Sequence, residues 1–296
     1  MANAVFTFSV GSIYDDLPEI RYHFPKTYLK QVQAAIGDWI IYYEPRRSHG
    51  GGRSAYVAIA KVVDVRPDPQ RPDHFYALIA GYLEFDQAAP FRKAGRYFES
   101  ALQKFDGSTS KGAFGRAVRP LPGDEFESIV QEGFSRDLAL WEAQDATQSP
   151  VGVSEDMKIY SDRPRVEQWV SRPLREEAFR RRVREAYGNT CALSGLQLIN
   201  GGGRPEVQAA HIRPVAASGP DSVRNGLALT GTLHWLFDRG LVAVGEDHGI
   251  LLSPRGIPDD LVRLLRPDRK ILLPKESDQR PHPVFLAWHR ENVFKR

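Results

Sequence analysis

The chain has one cysteine, Cys191, in 296 residues. No intrachain disulfide can form, and no structural zinc held by paired cysteines is expected. A lone thiol fits a reducing compartment. Nor does any apolar run approach the roughly 20 residues that span a bilayer, so no membrane partner is expected. The opening stretch MANAVFTFSVGSIYDD lacks the basic region and continuous apolar core of an export signal. A soluble, cytoplasmic protein is the expectation. Internal repeats and low-complexity tracts are missing too.

What remains is ordinary globular material, 42% hydrophobic and 26% charged, with length enough for two domains. The net charge of +3 is unevenly spread. Residues 1–130 carry 16 Lys/Arg against 15 Asp/Glu, residues 131–162 carry 2 against 7, and residues 163–296 carry 22 against 15. A basic C-terminal half behind an acidic stretch suits a polyanionic partner.

The first part is rich in strand-forming runs: AVFTFSV, DWIIYYEP, SAYVAIAKVVDV and HFYALIAGYLEF. Between the first two, PKTYLKQVQAAI has helical spacing and stops at Gly37. The loops RRSHGGGRS and RPDPQRPD punctuate the rest. The pattern predicts a small curved β-barrel with short helices over residues 1–140. DEFESIVQEGF and SRDLALWEAQ are helical in spacing, and DATQSPVGVSED is polar and rich in small residues, marking a linker over 141–160.

The second domain, 161–296, opens with a helix whose Phe179, Val183 and Tyr187 recur on one face beside a run of arginines. CALSGLQLINGGGRPEVQAAHIRP suggests a hairpin with a glycine-rich turn. A helix over 230–239 follows, ending at Gly240, and LVAVGEDHGILLSP is a further hairpin. Within this region lie His211 in AAHIRP, Asn225 in RNGLAL, and His234 and Asp238 in LHWLFDRG. His234 and Asp238 are one helical turn apart and share a face.

In order, spacing and context, these residues resemble the HNH, or ββα-metal, nucleases over roughly residues 188–255. The resemblance implies hydrolysis of a phosphodiester by water. His211 is then the general base, because an imidazole exchanges a proton near neutral pH. Asn225 would hold the loop and help orient that base, so both count as catalytic. His234 and Asp238 would ligate one divalent metal ion, Mg²⁺, Mn²⁺ or another, which steadies the phosphate. Two departures stand out. Many relatives carry an acidic or His ligand just before the base, where this chain has Ala210; Gln208 is an outside alternative for the second ligand. Many also carry CxxC pairs for zinc, where this chain has CALS, which leaves Cys191 as a small buried residue.

The segments VFTFSVGSIYDDL, YHFPKTYLKQVQAAIGDWIIYYEP, SAYVAIAKVVDVRPDP and YLEFDQAAPF resemble the EVE branch of the PUA-like superfamily. Such domains hold a flipped, often modified, base in an aromatic pocket. The resemblance implies a pocket drawn from Tyr22, His23, Phe24, Trp39 and Tyr43. Arg46, Arg47 and Arg53 of the glycine-rich loop, with Arg180 and Arg181 of the later helix, are candidates for the DNA backbone.

The fold expected is α+β: a PUA/EVE-like barrel, a linker and a ββα-metal domain. The function expected is a metal-dependent endonuclease acting on double-stranded DNA with modified cytosine (5-methyl- or 5-hydroxymethylcytosine), as in modification-dependent restriction. The alternatives are a non-catalytic reader of modified nucleic acid and an HNH nuclease indifferent to modification. A homodimer would let two sites cut two strands.

Overall fold

The computed structural model describes residues 2–9, 12–46, 53–136 and 172–296. The linker expected over 141–160, all but the first two residues of the helix expected in SRDLALWEAQ, and Arg47 lie outside the described residues. The chain divides into two compact units, Met1–Leu174 and Arg175–Arg296.

The first unit is built on strands β1 (Ala4–Thr7), β2 (Arg21–Pro25), β3 (Trp39–Glu44), β4 (Ala55–Pro67), β5 (His74–Pro90) and β8 (Val118–Pro120). They form one six-stranded sheet in the order β2-β5-β4-β3-β1-β8. The β1–β3 pair is parallel and the other pairs are antiparallel. Two-residue strands β6 (Arg92–Lys93) and β7 (Arg96–Tyr97) make a separate small hairpin.

The sheet curls into a half-barrel. The hydroxyl of Tyr22 on edge strand β2 donates to the carbonyl oxygen of Thr7 on β1, at 3.0 Å. In a flat sheet those strands would stand four spacings of about 4.8 Å apart. Register shifts in the β3–β4 and β4–β5 ladders supply the bending. The inner face packs Phe6, Tyr22, Phe24, Ile40, Tyr42, Ala58 and Val62 into one core.

Helices α1 (Leu29–Ala34), α2 (Lys111–Phe114) and α3 (Gly123–Gly133) complete the unit. The first ends as its spacing predicts, with Gly37 at φ +86°. In α3, Phe126, Ile129 and Val130 are buried on one helical face. A buried ion pair ties the chain together: Arg119 Nε and Nη2 donate to the two oxygens of Glu99, each at 2.8 Å. Tyr56 donates to the same carboxylate at 2.7 Å.

The second unit opens with α4 (Arg172–Ala186). It continues through β9 (Gln208–His211), β10 (Gly226–Leu229) and α5 (Gly231–Asp238), then the hairpin β11 (Val242–Val244) and β12 (Ile250–Leu252). Helices α6 (Asp259–Arg263) and α7 (Pro283–Asn292) close it.

One expectation is corrected. The partner of β9 is not the CALSGLQLIN segment but β10, with His211 opposite Gly226 and Gln208 opposite Leu229. Cys191, Ala192 and Leu193 are buried as a turn, and the expected hairpin is short: Ile199 bridges Pro205 across the glycine-rich turn, with the Asn200 N–H on the Arg204 carbonyl at 3.0 Å and the Glu206 N–H on the Leu198 carbonyl at 2.9 Å. His211 therefore ends the first strand of the motif, and Asn225 directly precedes the second.

Candidate active site

The site grows from the β9–β10 pair and the helix that follows it. Asn225 is fully buried. Its side-chain oxygen accepts the Arg213 N–H, and its amide donates to the carbonyls of Arg213 and Pro220, all at 2.9 Å. The Ile212 N–H reaches the Asn225 carbonyl at 2.8 Å. One side chain thus closes the loop between β9 and β10 and holds the backbone just after His211. The loop would otherwise carry unpaired buried groups. Gly226 follows because α4 crosses there: a Cβ at this position would collide with Val183 and lie 3.2 Å from Phe179.

His211 is fixed in plane and in rotation. Phe179 of α4 stacks on its ring with centroids 3.8 Å apart and planes at 13°. Its Nε2 lies 3.1 Å from Oδ1 of Asp221, a buried carboxylate that also has Arg175 Nε at 3.8 Å. An ionised carboxylate only accepts, so Nε2 carries the hydrogen. That leaves the Nδ1 lone pair, with no hydrogen-bond partner among the described residues, as the basic atom of a side chain still 21% exposed. Asp221 was not singled out from sequence. Its signal was faint: an acid four residues before Asn225 in a loop, GPDSVRNG.

His234 occupies the exposed side of α5. Its Nδ1 lies 2.9 Å from Oε1 of Gln208, and its Nε2 lies 3.3 Å from Oδ2 of Asp238. A neutral imidazole has one N–H, yet oxygen acceptors stand at both nitrogens. With Nδ1–H donated to Gln208, the lone pair of Nε2 points at a carboxylate. A cation between Nε2 and Asp238 relieves that opposition, and a ligating histidine commonly donates its other N–H in this way. The residues fit a divalent ion with two protein ligands, the rest of its shell being water and phosphate, as Mg²⁺ prefers. Among the described residues no cluster of three or more His, Cys, Asp or Glu forms a metal site. Ala210 is buried and offers nothing. Glu206 is engaged elsewhere, accepting the Gly231 N–H at the start of α5 at 2.9 Å.

His289 and His282 pack within the fold. His289 is buried, stacks on Phe237 at 3.8 Å and bonds to the Phe237 carbonyl at 3.1 Å. Burial pushes it down to about 4. His282 caps α7 by accepting the Val284 N–H, and burial likewise pushes it down to about 4.

The five aromatics expected to share a base pocket do not converge. Tyr22 and Phe24 face the core, nearly parallel at 6.1 Å, and Tyr42 joins them there. His23 points to the other face of β2, where it stacks on Tyr76 and pairs with Asp68 at 3.2 Å. Tyr43 turns away from Tyr42 and meets Tyr56, Phe114 and the Arg119 guanidinium. Trp39 is half-buried at the start of β3. Period-two alternation separates neighbours by construction. The arginines are mostly engaged as well. Arg53 pairs with Glu44 at 2.6 Å, Arg180 with Glu176 at 3.6 Å and Arg181 with Glu185 at 3.4 Å, while Arg46 is exposed.

Around Tyr42 lies a polar group that sequence reading passed over. Tyr42 is fully buried, yet its hydroxyl has no hydrogen-bond partner among the described residues. Burial pushes that hydroxyl well up, and the Asp16 and Glu19 carboxylates add to the effect. Asp16 is itself pushed up to about 6 by burial, against the pull of the His23 N–H it accepts. Phe8 and Tyr82 meet the Tyr42 ring at 5.7 and 6.0 Å.

Residues 191–245 match the family model described as HNH endonuclease. No curated protein matches the chain significantly. Among solved structures, a modification-dependent TagI restriction endonuclease is similar at 14% identity and TM-score 0.31, over 97% of this chain and 81% of that one. The N-terminal domain of Staphylothermus marinus McrB is similar at 11% identity and TM-score 0.33, over 44% of this chain and 94% of that one. The Type IV phosphorothioation-dependent restriction endonuclease ScoMcrA is similar at 13% identity and TM-score 0.20, over 79% of this chain and 46% of that one. The matched segment, residues 191–245, is the one that carries the β9–β10 pair and α5, and His211, Asn225 and His234 all lie within it.

Proposed function

We propose that the protein is a divalent-metal-dependent endonuclease that restricts foreign duplex DNA, cutting in its C-terminal unit when its N-terminal unit reads a modified cytosine. The observation that carries the nuclease part is His211, stacked on Phe179 and bonded through Nε2 to Asp221 so that Nδ1 is free to act. Nδ1 takes the proton of the attacking water, and the Asp221 carboxylate stabilises the imidazolium that results. Asn225 keeps the backbone after His211 in place. His234 and Asp238 would hold the cation, which would supply positive charge to the phosphate and the leaving oxygen. Gln208 fixes the His234 ring from behind.

The reader part is supported by the group around Tyr42. A buried hydroxyl without a partner costs about 1–3 kcal/mol unless something satisfies it. An acid held near pH 6 beside it is a common mark of a binding site. Carboxylates accept from the exocyclic amine of cytosine, and neighbouring rings compensate the stacking that a flipped base loses. We assign base reading to Asp16 and Tyr42 with Phe8 and Tyr82 as walls. Since one site cuts one strand, duplex cleavage is assigned to two protomers acting together.

The test is digestion of matched duplexes, plain and modified, with Mg²⁺, Mn²⁺ or EDTA. Cleavage only of modified DNA, and only with metal, is the result expected. Equal cleavage of both removes the reader; binding without cleavage under every metal removes the nuclease.

A further inference from the structure

Phe105 is fully exposed, at 111%. A phenylalanine carries about 150–250 Å² of surface that folding normally hides. Here it stands at the tip of a tightly bonded turn. Lys104 N–H donates to the Ser108 carbonyl at 2.8 Å, and Gly107 N–H to the Lys104 carbonyl at 2.9 Å. Asp106 accepts the Ser108 N–H at 2.8 Å. Gly107 has φ +79°, which a side chain would resist. Gln103 and Thr109 pair across the base of the turn, and Thr109 bonds to the Tyr97 hydroxyl at 2.6 Å. The chain holds this ring out rather than letting it fold back.

The surroundings are strongly basic. Residues 91–120 contain seven Lys/Arg and two acids, a net of +5 where the whole chain has +3. Arg119 is taken by Glu99 and Lys93 by Glu132. Arg92, Arg96, Lys104, Lys111 and Arg116 have no ion pair among the described residues. The pieces adjoin: Tyr97 of the β6–β7 hairpin meets the turn through Thr109, and Phe91 meets Phe114 of α2 at 5.0 Å. The same segment abuts the ring group, because the Ala117 carbonyl accepts the Thr7 N–H at 2.7 Å and lies 3.4 Å from the Tyr22 hydroxyl.

We propose that this face docks duplex DNA, its cations on the phosphates, and that Phe105 enters the base stack as a wedge beside the extruded nucleotide. The charge selects the partner. Five cations without a carboxylate partner, in the segments that adjoin the Phe105 turn, fit a polyanion with stacked bases inside, and apolar wedges between base steps are a known way to deform a duplex. The inference rests on the reading that the N-terminal unit takes a displaced base from DNA.

Full-length protein in EDTA, mixed with a duplex carrying one modified cytosine and a neighbouring 2-aminopurine, tests it. Wild-type binding should raise 2-aminopurine fluorescence, which reports unstacking. Phe105→Ala should leave the melting temperature unchanged, since the ring packs on nothing. It should weaken binding about 5–150-fold, the range one stacking partner represents, and lose the fluorescence rise. Phe105→Trp should keep both. Lys104→Gln and Lys111→Gln should each lower the salt slope of binding by about one, whatever the sequence. Wild-type affinity and fluorescence in Phe105→Ala would overturn the wedge and leave the nuclease reading intact, pointing to a protein partner for the ring. A wild-type protein that binds no duplex removes the reader and the wedge together.

Discussion

At the scale of single residues, the site is a set of polar groups each given a second attachment. His211 has Phe179 and Asp221, Asn225 has two carbonyls and an N–H, and His234 has Gln208 and Asp238. The first member of each set was legible in sequence because its type and spacing are constrained by chemistry. The attachments were not, since an acid in a loop or a glutamine in a strand looks like any other surface residue. His211→Ala should lower turnover by about 10²–10⁴-fold while DNA binding persists; near-normal turnover would sink the assignment. Asp221→Asn leaves the shape but permits the wrong tautomer, as in hydrolase triads. Its kcat should fall with KM and melting temperature nearly unchanged, and Asp221→Glu should restore part of the rate. His234→Ala should raise the Mn²⁺ concentration needed for half-maximal cleavage more than Asp238→Ala does. No change in Asp238→Ala would move the second ligand elsewhere, with Gln208 next to test. In the proposed reader, Asp16 would accept from a base only as a carboxylate, the form present above about pH 6. Affinity for modified cytosine should therefore drop as pH falls from 7 to 5, and Asp16→Asn should flatten that dependence.

At the scale of elements, strands with β-branched and aromatic runs were legible, and so was α3, whose buried residues follow helical spacing. The misread element is instructive. CALSGLQLIN has the composition of a strand, and NGGGRP after it does turn tightly, with Gly203 at φ +81° and its N–H on the Asn200 carbonyl at 2.9 Å, but the pairing stops within a few residues of that turn and never reaches β9. Asn225 instead brings the next apolar run, GLAL, against β9. Local pattern says that a segment wants a partner without saying which. Helix α7 allows a prediction at this scale. His289 is neutral in the fold, held down to about 4, while an unfolded histidine titrates near 6.5. Above 6.5 both states are neutral and nothing is lost. Between 6.5 and 4 only the unfolded chain takes the proton, so stability falls as pH falls, by on the order of 2–3 kcal/mol for a group this buried. His282, half exposed, adds less. The C-terminal unit should melt lower at pH 4.5 than at pH 7, and His289→Gln should shrink the difference. A second element test is Gly226→Ala. Its methyl meets Val183 and Phe179, so it should push α4 off the strand pair and cost stability by about 1–3 kcal/mol in urea unfolding.

At the scale of the whole molecule, two cores with no shared strands suggest two separable activities. The half-barrel closes its own core and buries its own ion pair, and the C-terminal unit closes around α5 and α7. The boundary at Leu174–Arg175 falls within α4, later than the composition change that placed the second domain at 161. That difference arises because α4 packs through Phe179 and Val183 on the HNH strands, so most of it belongs to the second unit despite its polar surface. Stretch 141–160, acidic and rich in small residues, should be the first cut in limited proteolysis. The fragment 1–140 should then prefer duplexes with modified cytosine. The preference should survive added salt, because it comes from the base, while total affinity falls, because phosphate contacts release counterions. The fragment 161–296 should nick plain and modified DNA alike when given Mn²⁺, since it keeps His211, Asp221, His234 and Asp238 but not the reader. Discrimination retained by that fragment would place base recognition in the nuclease unit and leave the half-barrel with backbone contacts alone.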